Sequence, residues 1–281
     1  MKIAILGAGN IGAALVGGLL KSKAADAQTL VATTQSEESA SRLRALHGIA
    51  VSAGNNREAA ADADVIIIGV KPATVPKVID EIRDVLRDDQ ILVSLAAVLT
   101  IDVLEKRAGR QMAVIRAMPN IPVVVGEGAI ALASNGVANA EQRATVERLF
   151  RSVGVVCWVD DEMMDAVTAL SGSGPAYVYM VIEAFIAGGV KMGLSREIST
   201  RLAEQTVLGA ALHVRQSGLH PAILRDEVIT PGGTTIVAIH ELERHGLRSM
   251  LISAIETATK HAKDRGKILI ERLEAAKSTV T

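Results

Sequence analysis

The chain opens on an apolar run, Ile3-Ala4-Ile5-Leu6, breaks at Gly7-Ala8-Gly9-Asn10-Ile11-Gly12, and resumes as Ala13-Ala14-Leu15-Val16. This pattern predicts a strand, a tight turn and a helix. Short β-branched runs recur at Leu30 to Thr33, Val65 to Gly69, Ile91 to Leu95 and Met112 to Arg116, separated by helical spacing. Such alternation predicts parallel βαβ units. Thr100 is placed to cap a helix over Ile101 to Ala108, and Asn139 with Gln142 forms a capping-box pattern before Val146 to Phe150.

After Asp160 and Asp161 the strand-like runs cease, and apolar residues recur at three- and four-residue spacing. Helices are predicted over Pro175 to Met192, Ser195 to Gln216, Thr234 to His245 and Arg248 to Leu273, with Ser195 and Thr234 as N-caps. The fold class expected is therefore an α/β Rossmann-type dinucleotide-binding domain, residues 1–160, followed by an all-α dimerisation domain, residues 161–281. Stretches such as Ala184 to Val190 and Val207 to Leu212 are rich in small and aliphatic residues. They call for cover, either from a private core or from a second copy.

At 281 residues, one large domain or two of ordinary size are both expected. With 49% apolar residues and a formal net charge of −1, neither nucleic acid nor an anionic membrane is indicated as partner. The longest uncharged run, Ala166 to Ile182, contains Ser171-Gly172-Ser173-Gly174-Pro175 and reads as a poor membrane helix. A signal-peptide reading of the start is disfavoured by the glycines and Asn10 that interrupt its apolar segment. Cys157 is the one cysteine, so neither an internal disulfide nor a thiolate metal cluster is expected, and a reducing cytoplasm is. Its apolar setting, Val153 to Val159, suggests a small buried hydrophobe. None of the six histidines adjoins a glycine motif, and His220 and His240 read as surface or packing residues.

In Gly7 to Gly12 the first glycine permits the turn, the second lets backbone N–H groups approach a pyrophosphate, and the third lets helix pack on strand. An NAD site usually carries an acid about twenty residues on. Here the second strand ends Ala32-Thr33-Thr34-Gln35-Ser36, whose neutral hydroxyls suit a 2′-phosphate, with Arg42 or Arg44 available for attraction. NADP is therefore favoured over NAD, while Ser36 also reads as a helix cap. Val70-Lys71-Pro72 follows the Val65 to Gly69 strand at the sheet edge where ligands of such folds bind.

Two further segments mix glycine, proline and hydroxyls: Ser171-Gly172-Ser173-Gly174-Pro175-Ala176-Tyr177 and Thr230-Pro231-Gly232-Gly233-Thr234-Thr235. On residues alone they read as capped interhelical turns, of which the second is also able to hold a carboxylate on its exposed N–H groups. A β-hydroxyacid dehydrogenase would need a lysine and an asparagine beyond Gly172 and Gly174, where Val178 and Ile182 stand.

Gly7 to Gly12, Val70-Lys71-Pro72, Met118-Pro119-Asn120, Ser171 to Tyr177 and Val228 to Thr235 occur in an order that resembles pyrroline-5-carboxylate reductase across nearly the whole chain. The resemblance implies reduction of L-1-pyrroline-5-carboxylate to L-proline by NADPH or NADH, in a dimer often assembled into a decamer. It implies cofactor contacts from Gly7, Ala8, Gly9, Asn10, Ile11, Gly12, Thr33, Thr34, Asn56, Val70, Lys71, Pro72, Ala96 and Ala97. It implies that Thr230, Gly232, Gly233, Thr234 and Thr235 hold the substrate carboxylate, with the catalytic Thr235 hydroxyl near the ring nitrogen and Asp161 as an acidic substrate-side residue. No metal is implied. Two departures stand out: Asp161 replaces a common glutamate, and Val98 stands where the family usually has glycine, a strained choice if that loop needs a positive φ.

Overall fold

Alternation within the apolar runs sorts each strand's residues onto two cores, because successive side chains of a strand point to opposite faces. In a computed structural model, which describes residues 1–278, β1 (Ile3–Leu6) sends Ile3 and Ile5 into one core and Ala4 and Leu6 into the other. β4 (Val65–Ile68) divides the same way, Val65 and Ile67 against Ile66 and Ile68. Both strands are wholly buried, as a parallel sheet covered on two faces requires.

The chain continues from β1 through α1 (Asn10–Lys21), β2 (Leu30–Thr34), α2 (Glu37–His47), β3 (Ala50–Ala53) and α3 (Asn56–Ala61) to β4. After β4 come α4 (Val75–Ile82), β5 (Ile91–Ser94), α5 (Ile101–Ala108), β6 (Ala113–Met118), β7 (Gly128–Ser134), α6 (Ala140–Arg151) and β8 (Gly154–Trp158). The sheet order is β3-β2-β1-β4-β5-β6-β7-β8, parallel except for β6 with β7. The order reverses between β1 and β4, which makes their carboxyl edge the ligand-binding crevice of such a fold.

Local signals acted where they were read. Ser36, Thr100 and Asn139 accept hydrogen bonds from the backbone N–H of Ser39, Val103 and Gln142, the last in a full capping box. Strands β3, β7 and β8 were not predicted: β3 and β7 are short runs rich in alanine, serine and glycine that carry little β signal until neighbouring strands pair with them, while the apolar β8 was read only as a setting for Cys157. Cys157 is exposed rather than buried, because it lies on the edge strand β8, whose outward residues Val155 and Cys157 are uncovered.

Beyond β8 come α7 (Met164–Val167), a π turn (Thr168–Gly172), α8 (Gly174–Lys191), α9 (Arg196–Ser217), α10 (Pro221–Glu227), α11 (Thr234–Arg244) and α12 (Leu247–Ser278). Ser171 to Pro175 is thus not a long interhelical loop: Ser171 and Gly172 lie in the π turn, Ser173 alone is a bend, and Gly174 and Pro175 open α8, where a missing N–H costs nothing. The stretch Asp161–Lys191 is by length and composition apolar enough to cross a membrane. Ser195 caps α9 as expected, but the cap of α11 is Gly233, and Thr234 is already helical.

The coordinates form two compact units, Met1–Ser173 with the chain from Thr257 onward, and Gly174–Glu256. The expected boundary at 160/161 lies inside the first unit, and Leu269 and Leu273 of α12 pack on the core that holds Leu6. In the second unit Val178, Met180, Phe185, Leu202 and Val237 are exposed, so its helices leave apolar surface uncovered.

Candidate active site

The turn after β1 has the form a pyrophosphate site needs. Gly7 has φ +79°, and an added Cβ would collide with the Val70 side chain, so only glycine fits. A Cβ on Gly9 would meet nothing within 4 Å, leaving its backbone open to a ligand. α1 then begins with no side-chain cap on Gly9, so its first N–H groups point outward unpaired by a cap. These features fit a dinucleotide's phosphates.

Thr33 joins this turn to the start of α3. Its hydroxyl accepts from Gly7 N at 3.0 Å and donates to Asn56 Oδ1 at 2.6 Å, while Ala8 N donates to Thr33 O at 2.7 Å. Asn56 Nδ2 donates in turn to Glu81 Oε2 at 2.9 Å. The Thr34 hydroxyl donates to Ser36 O at 2.9 Å. Both threonine hydroxyls are therefore engaged inside the protein, and Arg44 is paired with Glu37. Arg42 lines a cavity of about 1080 Å³ along α1, together with Asn10 of the glycine turn, Lys21 and Val125. Lys71 is exposed at the entry to the turn Pro72–Thr74, directly after β4.

The loop after β5 lies at the same edge, with Leu95 N donating to Ile68 O at 3.0 Å. Within it Ala96 is buried and Ala97 half-buried. Val98 has φ +66°, a left-handed conformation that a β-branched residue adopts only under constraint. The glycine expected there would have met a real backbone demand.

Asp161 is not free. Its Oδ1 lies 2.6 Å from Arg116 Nη1 and its Oδ2 accepts from Ile101 N at 3.0 Å. Sequence reading missed this partnership, although one arginine inside the apolar strand Ala113–Met118 was a visible signal, since buried charges need partners. Asn120 proves structural as well: Nδ2 donates to Ser171 O at 3.0 Å and Oδ1 accepts from Ala129 N at 2.9 Å. It ties the Met118-Pro119-Asn120 segment to the π turn. His220 caps α10 through Nδ1, and His240 is exposed.

In the second unit Thr230 to Gly233 forms a β-turn, with Gly233 N donating to Thr230 O at 3.0 Å, Pro231 second and Gly232 third at φ +68°. That is the residue order of a type II turn. It delivers the chain into α11, whose N-terminus carries no side-chain cap. Thr235 is half-buried in the first turn of that helix, and no hydrogen bond engages its hydroxyl among the described residues. Uncapped N–H groups at the start of an eleven-residue helix, beside an available hydroxyl, suit a small carboxylate. No cluster of metal-ligating side chains occurs among the described residues.

A Rossmann-type sheet with a bare glycine turn and a separate helical unit defines an NAD(P)-dependent oxidoreductase. Residues 161–265 match the family model described as pyrroline-5-carboxylate reductase dimerisation, and residues 2–98 match that of NADP oxidoreductase, coenzyme F420-dependent. The chain is 39% identical to pyrroline-5-carboxylate reductase of Arabidopsis thaliana, over 94% of this chain and 95% of that one. Among solved structures, it is similar to a pyrroline-5-carboxylate reductase from Coxiella burnetii, with TM-score 0.89, 35% identity and coverage of 94% and 97%. It is also similar to pyrroline carboxylate reductase of Plasmodium falciparum with NADP bound, with TM-score 0.84, 32% identity and coverage of 95% and 98%. The chain belongs to the pyrroline-5-carboxylate reductase family.

Proposed function

We propose that this protein reduces L-1-pyrroline-5-carboxylate to L-proline, the last step of proline biosynthesis, with NADPH favoured over NADH. The observation that carries the reading is the uncapped start of α11 behind the Thr230–Gly233 turn, with the Thr235 hydroxyl beside it. There the N–H groups around Gly233, Thr234 and Thr235 hold the substrate carboxylate, and the Thr235 hydroxyl meets the ring nitrogen.

When bound, NADPH would supply the hydride for the imine carbon. Gly7 to Gly12, Thr33, Thr34, Asn56, Val70 to Pro72, Ala96 and Ala97 form the cradle that orients it. A threonine hydroxyl is too weak an acid to be the sole proton source, so the proton that completes the ring N–H needs a further donor, for which solvent water is available. Orientation of two reactants can lower a barrier of this bimolecular kind by roughly 7–11 kcal/mol, so a carboxylate clamp is a larger lever than any single acid. Preference for NADPH rests on the absence of an acid at Thr33 and Thr34, and the NADP-bound Plasmodium relative supports it.

Residues 1–160 serve as the cofactor domain and residues 161–281 as the substrate and dimerisation domain. A second copy covers the apolar helices, in a cytoplasmic dimer or decamer without nucleic-acid or membrane partners. The test is incubation of purified protein with pyrroline-5-carboxylate and NADPH, following the nicotinamide absorbance and proline formation. Loss of absorbance with proline formed is expected; cofactor binding without oxidation would overturn the reading in favour of a silent NADP-binding protein. Parallel NADH assays rank the cofactors, and sedimentation fixes the assembly.

A further inference from the structure

We propose that Arg116 and Asp161 are positioning residues that hold the loop after β5 in its cofactor-facing conformation, with Val98 as the left-handed pivot. This rests on the reading that Ala96 and Ala97 of that loop meet the cofactor. It gives Asp161 a role on the protein's own backbone in place of the substrate-side role its family position implies.

The Arg116 side chain is 6% exposed and that of Asp161 23%. A guanidinium so buried is tolerated only when paired, which demands a carboxylate at that place. The single carboxylate serves two elements: Oδ1 neutralises Arg116 of β6, and Oδ2 takes the N–H of Ile101, the first residue of α5. A negative charge at a helix start is favoured by the helix dipole, so the pair also fixes where α5 begins. Arg116 Nε is buried with no partner among the described residues, so Nη1 carries this charge's pairing.

The loop is thereby fastened at both ends. Leu95 N is bonded to Ile68 O and Ala96 N to Ser94 Oγ at 3.3 Å, while Thr100 caps α5 and Asp161 holds Ile101. Helix α12 backs its middle, since a Cβ on Gly266 would stand 3.1 Å from Val98 O. A β-branched residue stays at φ +66° only where its surroundings over-determine it. Fastening at Ile101, two residues past the buried Leu99, supplies that constraint. When it is weakened, the loop spends less time in the competent shape and apparent cofactor affinity falls by the same fraction.

Asp161→Asn keeps the side-chain shape and removes the charge. The expected result is an NADPH dissociation constant, measured by nicotinamide fluorescence without substrate, weakened by about tenfold, the size of a left-handed penalty on a β-branched residue. The KM for NADPH rises with it, and the KM for pyrroline-5-carboxylate stays put. Adding Val98→Gly to Asp161→Asn restores NADPH affinity, because glycine takes the left-handed shape without a clamp. If Asp161→Asn does not fold, Arg116→Met with Asp161→Leu replaces the pair by apolar side chains, and the same comparison with and without Val98→Gly applies. Unchanged NADPH affinity with a raised substrate KM would return Asp161 to the substrate and overturn the proposal; so would failure of Val98→Gly to rescue. Wild-type protein that binds NADPH without reducing the imine would defeat the proposed reaction alone, since the binding measurement does not depend on turnover.

Discussion

The Thr33 hydroxyl donates to Asn56 Oδ1 at 2.6 Å while accepting from Gly7 N, so one buried side chain joins the glycine turn, the end of β2 and the start of α3. Its work is to shape the glycine turn.

Thr33→Val keeps the volume and removes both bonds. Leaving the Gly7 N–H unsatisfied costs about 1–3 kcal/mol. Thermal unfolding is expected several degrees lower, with NADPH affinity reduced in parallel; a wild-type melting temperature would show that the bonds contribute nothing.

Thr235→Ala removes the one hydroxyl assigned to the ring nitrogen. Turnover is expected to fall by about 10- to 100-fold, the range of a hydrogen bond to a developing charge, while NADPH binding by fluorescence is unaltered. Equal turnover in mutant and wild type would refute the assignment.

Val98→Gly alone removes a left-handed penalty of about 1–2 kcal/mol and adds about 0.5–1 kcal/mol of unfolded-state entropy. Melting is expected to rise by about 2 °C. A fall in melting temperature would mean that packing of the valine methyls outweighs the backbone cost.

Glu147 accepts from Trp158 Nε1 at 2.7 Å and from Arg151 at 2.6 Å and 2.9 Å, and these bonds, the indole's first, hold its carboxyl below the usual carboxylate range. A carboxyl lowered on folding stabilises the protein above the ordinary glutamate range, and that contribution disappears as pH falls through its own lower value. Trp158 is the one tryptophan, with the Arg143 guanidinium 4.3 Å from its ring centre, so its emission reports the change. The expected transition lies below the ordinary glutamate range and vanishes in Glu147→Gln; a midpoint at or above that range contradicts it.

By itself, the sequence determined the elements whose signals are local: the glycine turn, the apolar strands β1, β4 and β5, the caps at Ser36, Thr100, Asn139 and Ser195, and the long helices after residue 173. Each depends on neighbours a few residues away. The positive φ at Val98 was raised only as a condition by the resemblance to the reductases, which usually have glycine there, and the structure supplied the angle. Only the tertiary structure decided the rest. Strands β3 and β7 exist because partners supply hydrogen bonds to weakly apolar runs, and the edge position of the apolar β8 exposes Cys157. Arg116 and Asp161 lie 45 residues apart, Thr33 and Asn56 lie 23 apart, and no local pattern encodes such pairings. They arise when burial removes water from charges and hydroxyls and obliges each to find a partner across the fold.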